Sequence, residues 1–142
     1  MPIDEKIEQI KKDFGQNVDW EAKYEKIIEY GKKWPGLPDE LKIDDLKVKG
    51  CQSQVWIKAE MTADKKVLLR GDSDALIVRG LVAIALTVYS GESPETILKT
   101  EPTFLKEIGF DSGLSPSRSN GLYSMIKQIK YYATAFQYLL SK

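Results

Sequence analysis

Apolar residues recur every three to four positions at the start of the chain. Ile3, Ile7, Ile10 and Phe14 share one face, which predicts a helix over roughly residues 3–14. The tripeptide "GQN" at 15–17 breaks it. Asp19 is a good N-cap for a second helix running to about Lys33, with Trp20, Tyr24, Ile27 and Ile28 turned inward. Two prolines and a glycine in "WPGLPDE" then stop regular structure. From Leu41 to Asp72 the period falls to two. Ile43, Leu46 and Val48 predict a short edge strand. Val55, Ile57, Ala59 and Met61 share one face of the next strand, with Trp56, Lys58 and Glu60 on the other. "TADKK" turns the chain, and "VLLRG" returns it antiparallel, so the expectation is a three-stranded meander.

Helical periodicity then resumes. In "GDSDA", Asp72 or Ser73 can cap a helix that runs to about Ser90 and is apolar nearly all round, the mark of a buried central element. Gly91 suits the position just past its end. "SPETILK" opens a short helix with serine as cap and proline in the first turn, and "PTFLKEIGF" predicts another. "SPSRSNG" starts the last helix, with Ser115 as cap, Pro116 at its first position, and a stripe of Leu122, Met125, Ile126, Ile129, Ala133, Phe136 and Leu140. The reading is α+β, a single domain spanning 1–142 in which helices cover one face of a small antiparallel sheet.

Composition narrows the function. The 142 residues carry 21 basic and 21 acidic side chains, a balance that argues against a general binder of nucleic acid or of anionic membrane. The longest apolar run, Leu81 to Tyr89, is far short of the roughly 20 residues that span a bilayer. "MPIDEKIEQIKK" is charged throughout and lacks the apolar core of a signal peptide. One cysteine cannot form an internal disulfide, so a reducing cytoplasm is the expected compartment. The sequence contains no histidine, which removes Ser-His-Asp and Cys-His catalysis, and a single soft ligand removes tetrahedral zinc.

The chemistry therefore falls to Cys51 or to carboxylates. A free cysteine is often an inert packed thiol. Here Gly50 gives the adjacent backbone freedom, and Gln52, Ser53 and Gln54 supply polar groups. Lys47 and Lys49 lie just upstream, and cationic neighbours lower a thiol pKa. A thiolate that attacks an already activated sulfur needs no general base, because the reaction is simple exchange. Asp72 and Asp74 have the D-x-D spacing of a magnesium site, but no glycine-rich phosphate loop accompanies them, and helix capping explains both. Trp56 either packs beneath a loop or serves a protein contact. Arg118 stands in a first helical turn, where a cation opposes the dipole; it can pair with Asp72 or Asp74, or lie near the sulfur. Gly121, inside the same helix, signals close backbone approach.

Taken together, "VKGCQSQVW", "LRGDSDALIVRGLVAIAL" and "LSPSRSNGLYSMI", in that order, resemble the SufE family of cysteine-desulfuration proteins, and "WEAKYEKIIEYGKKWP" is similar to that family's second helix. Ser115 and Asn120 stand where the family often has threonine and glutamine, conserving hydrogen-bonding capacity. The resemblance implies a fold similar to NifU-type scaffold proteins. It also implies a persulfide carried on Cys51 within the "GC-S-VW" motif, which holds Gly50, Ser53 and Trp56, with Asp74 and Arg118 in support. The implied donor is a SufS-type, pyridoxal-phosphate-dependent cysteine desulfurase, and the acceptor is an iron–sulfur scaffold complex. No cofactor in this chain is implied; a homodimer is. Shielding the cargo predicts a partly apolar pocket for Cys51, aided by Val55 and the central helix, with a loop around Gly50 that swings out on docking. Two alternatives fit less well. A cluster-holding scaffold wants four thiolates, and a thiol redox sensor lacks a resolving cysteine here.

Overall fold

The computed structural model describes residues 2–15 and 18–141. Helices α1 (Ile3–Asp13) and α2 (Trp20–Lys33) come first, followed by two short 3-10 turns, Asp39–Leu41 and Asp44–Leu46. Strands β1 (Val55–Met61) and β2 (Val67–Ser73) form an antiparallel hairpin in register Val55 to Ser73 through Met61 to Val67. Helices α3 (Leu76–Tyr89), α4 (Pro94–Lys99), α5 (Thr103–Glu107) and α6 (Pro116–Leu140) complete the α+β architecture. Among the described residues, no helix is long and apolar enough to cross a membrane.

Most predicted caps form. Asp19 accepts from the Ala22 N–H at 2.8 Å, Ser93 from Thr96 and Ser115 from Arg118. Gly91 has φ +84°, as its place past α3 requires. Ile3, Ile10 and Phe14 are buried as predicted, while Gln16 and Asn17 of the expected breaker lie outside the described residues. The stripe on α6 is buried from Leu122 to Ala133 and continues, partly buried, at Phe136, whereas Leu140 is 42% exposed.

Helix α3 is the centre. Leu81, Val82, Ile84 and Leu86 are all inaccessible to solvent. It crosses α2 at backbone contact, because a Cβ on Gly80 would stand 2.1 Å from the Ile27 carbonyl oxygen. The sheet lies on the same helix, with Gly71 admitting Leu86 and Val82. Helix α6 is pinned from two sides. Lys130 Nζ donates to the Ile97 and Thr100 carbonyls at the end of α4, and Tyr132 donates to the Ile57 carbonyl at 2.9 Å.

Two expectations need correction. Among the described residues the sheet has two strands, not three. Ile43 and Leu46 are an odd number of residues apart, which would set them on opposite faces of a strand. The intervening "DD" instead forms a 3-10 turn, leaving Ile43 45% exposed and a single bridge from Lys47 to Trp56. Nor does Asp72 or Ser73 cap α3, whose N-cap is Ala75 with no side-chain capping bond. Asp72 belongs to β2 and is 2% exposed. It accepts from the Leu37 N–H and from Arg79, each at 3.0 Å, with Lys42 Nζ at 3.5 Å. Arg79 in turn donates to the Gly31 and Trp34 carbonyls at the end of α2. One carboxylate thus ties the "WPGLPDE" segment, α2 and α3 to the sheet, and burial leaves it few alternative partners.

Asp72→Ala should lower stability by about 3 kcal/mol, since it leaves a guanidinium and a buried N–H short of an acceptor. Urea unfolding should show a lower midpoint at unchanged slope. A loss within about 0.5 kcal/mol, the scale of surface substitutions, would show that the clamp contributes little.

Candidate functional site

The segment from Lys49 to Gln54 is a short loop held at both ends. At its start Gly50 has φ +92°, and a Cβ there would meet Ser124 Oγ of α6 at 2.6 Å, so both conformation and space call for glycine. At its end Gln54 is clasped to the β2–α3 junction. Its N–H donates to Asp74 Oδ1 at 3.1 Å, its carbonyl accepts from Ser73 Oγ at 2.8 Å, and its side-chain amide donates to Asp74 Oδ2. Asp74 is therefore a loop anchor, and Asp72 faces Arg79. The two aspartates do not share a site.

Between these anchors Cys51 is half-buried, with Sγ donating to the Gly121 carbonyl on α6 at 3.5 Å. It opens on a cavity of about 340 Å³. Gln52 and Ser53 supply the loop wall, Leu76, Val78 and Leu81 the α3 wall, and Arg118, Gly121 and Met125 the α6 wall. A larger groove, about 660 Å³, runs along the charged outer face of α1 and holds no nucleophile.

Burial alone sets the thiol's acidity and pushes its pKa up from the ordinary 9.0. This corrects the expectation that Lys47 and Lys49 lower it. Lys47 pairs with Asp44 at 3.6 Å, and neither lysine contributes to the shift. The resting sulfur is thus a protonated thiol in a partly apolar recess.

Of the sequence-predicted residues, the structure brings Cys51, Ser53 and Arg118 to one cavity and leaves Gly50 beside it. Arg118 pairs with neither aspartate and lies 6.0 Å from the centroid of the Tyr24 ring. Trp56 is elsewhere. It is 5% exposed, beneath Lys42, whose Nζ is 5.8 Å from the ring centroid, so it packs rather than presenting itself to a partner. Val55 is buried but does not line the cavity. The central helix does supply an apolar wall, as expected, through Leu76, Val78 and Leu81, whereas sequence reasoning missed Ser124. Ser124 carried no signal of its own, because Gly50, which it faces, lies 74 residues away in the chain.

A half-sheltered single thiol on a loop braced by two helices defines a class: a protein with one sulfur nucleophile and, among the described residues, no proton acceptor lining its cavity. Comparison with known proteins narrows the class. The SufE model, described as an Fe-S metabolism associated domain, matches residues 8–133. An uncharacterised SufE-like protein of Synechocystis is 40% identical over 131 residues, covering 92% of this chain and 82% of that protein. Uncharacterised SufE-like proteins of Rhizobium etli and Rhizobium meliloti are 43% and 41% identical over 128 residues, covering 87% of this chain and 86% and 91% of theirs. A solution structure of a hypothetical protein from Thermus thermophilus superposes with a TM-score of 0.76 at 23% identity, over 93% of this chain and 96% of that one, and so shares the fold. The chain belongs to the SufE family, which is associated with iron–sulfur metabolism.

Because only thiolate reacts, alkylation of native Cys51 by iodoacetamide at about pH 8 should be much slower than in the urea-unfolded chain. The native rate should still be climbing above pH 9.0, where the unfolded rate has begun to level. A native rate that levels below about pH 8 would contradict the burial effect.

Proposed function

We propose that Cys51 is a sulfur acceptor that takes sulfane sulfur from a cysteine desulfurase and carries it as a persulfide towards iron–sulfur cluster assembly. The observation that carries this reading is the sheltered cavity around the only cysteine in the sequence, with no base beside it. A hydrolase or redox enzyme would need a proton acceptor or a second thiol there. An exchange reaction needs neither, because its substrate arrives activated.

The step balances within the pair of proteins. Cys51 Sγ attacks the terminal sulfur of the donor's persulfide, and a new S–S bond forms at Cys51. The donor's S–S bond breaks, its electron pair leaving on the donor's cysteine, which takes up a proton as Cys51 gives one up. The product is a persulfide on Cys51 and a regenerated thiol on the donor. Pyridoxal phosphate belongs to that partner, a SufS-type desulfurase, and this chain supplies the carrier sulfur. Delivery to an iron–sulfur scaffold complex is the same exchange in the opposite sense.

The resting thiol's raised pKa supports a division of labour. Away from its partner the unloaded sulfur is neutral and poorly nucleophilic, which limits its oxidation. Docking moves the loop about Gly50 and Asp74 and exposes it. Ser53 and Arg118 line the same cavity, where the guanidinium favours an anionic persulfide over a neutral thiol.

Incubation with a cysteine desulfurase and cysteine should add the mass of one sulfur to the intact protein. A thiol reductant should remove it, and Cys51→Ser should abolish it. No gain in the presence of a competent cognate desulfurase would overturn the assignment.

A further inference from the structure

Three glycines sit inside helices among the described residues: Gly31, Gly80 and Gly121. Glycine costs a helix stability relative to alanine, so each calls for a reason. For Gly80 and Gly31 the reason is the α2–α3 crossing. A Cβ would stand 2.1 Å from the Ile27 carbonyl oxygen in the first case and 2.9 Å from the Gly80 nitrogen in the second. Gly121 is different. A Cβ there would meet only Cys51, at 3.6 Å from Sγ and 4.0 Å from Cβ, which is ordinary van der Waals contact. The resting thiol therefore gives no steric reason for this buried glycine.

A larger occupant of Cys51 does. The S–H direction leads to the Gly121 carbonyl oxygen, 3.5 Å from Sγ, and that line is too short for a second sulfur bonded at about 2.05 Å. The second sulfur must rotate about the Cβ–Sγ bond instead. A Cβ on Gly121 would be closer to Sγ, at 3.6 Å, than to the cysteine Cβ, at 4.0 Å, which sets it level with the sulfur along that bond. It would thus lie beside that bond, on the cone the second sulfur sweeps. Along that arc the two atoms would overlap, whereas with glycine the arc opens into the cavity that Gly121 lines.

We propose that Gly121 is a positioning residue whose missing side chain provides the seat for the second sulfur of the Cys51 persulfide. This rests on the sulfur-acceptor reading and adds a size rule to it: the recess admits a thiol with either residue, and a sheltered persulfide only with glycine.

The test uses inorganic polysulfide in excess as the sulfur source, so that no partner protein is involved. Wild type and Gly121→Ala are loaded, freed of excess reagent, and exposed to a thiol reductant while intact mass reports the surviving persulfide. Gly121→Ala should melt no earlier than wild type, because the unloaded thiol leaves room for the methyl group. Its persulfide should be lost roughly tenfold faster, the scale expected of overpacking. Equal persulfide survival in the two proteins, with the wild type well protected relative to its urea-unfolded form, would overturn the role of Gly121 and leave the acceptor reading standing. A wild-type persulfide lost as fast as that of the unfolded chain would sink both. Earlier melting of Gly121→Ala would contradict the premise that the thiol state tolerates a methyl group.

Discussion

The contact between Cys51 Sγ and the Gly121 carbonyl, made inside a partly apolar recess, governs how the rest of the molecule must be built. Withdrawing a thiol from water favours its neutral form and so restrains its reactivity. Under the proposed sulfur-acceptor function, that restraint is useful between encounters with a donor and must be shed during one. A fold that meets both demands needs rigid walls around the sulfur and a segment that can move.

The walls are rigid because they are the interior of the protein extended to its surface. Helix α3 is buried along most of its length, and its first turns alone emerge to line the cavity. Helix α6 is fixed against α4 by Lys130 and against β1 by Tyr132. The Asp72–Arg79 pair joins the sheet to the end of α2. The loop bearing Cys51 has no comparable burial. Its ties are Gly50 against Ser124, the Cys51–Gly121 contact, and the bonds of Gln54 to Asp74 and Ser73, a handful of interactions that docking can exchange.

Much of this was legible in the sequence. Helical periodicity and capping residues located α1, α2 and α6 to within a residue or two, because amphipathic pattern and cap chemistry are local. The lone cysteine and the absent histidine confined the chemistry before any coordinates. The failures were non-local. Ile43, Leu46 and Val48 read as a strand because all are apolar, yet only Val48 is buried. Asp72 read as a cap because "GDSDA" has cap composition, and its actual partner, Arg79, is reached only once the strand and helix fold together. The thiol's acidity was misread for the same reason: Lys47 is near in sequence but turned to Asp44, while the burial that matters comes from helices 25 and 70 residues away in the chain, at Leu76 and Gly121.

Shelter that yields only to a docked donor is the central claim, and comparing two sulfur sources tests it most directly. Cys51 is loaded from a desulfurase persulfide and, separately, from a small-molecule persulfide at the same sulfur concentration, with the urea-unfolded chain reporting the unsheltered rate for the small donor. The account predicts fast loading from the protein donor and slow loading of the folded chain from the small one. Equal loading by both sources, at the unfolded chain's rate, would contradict it.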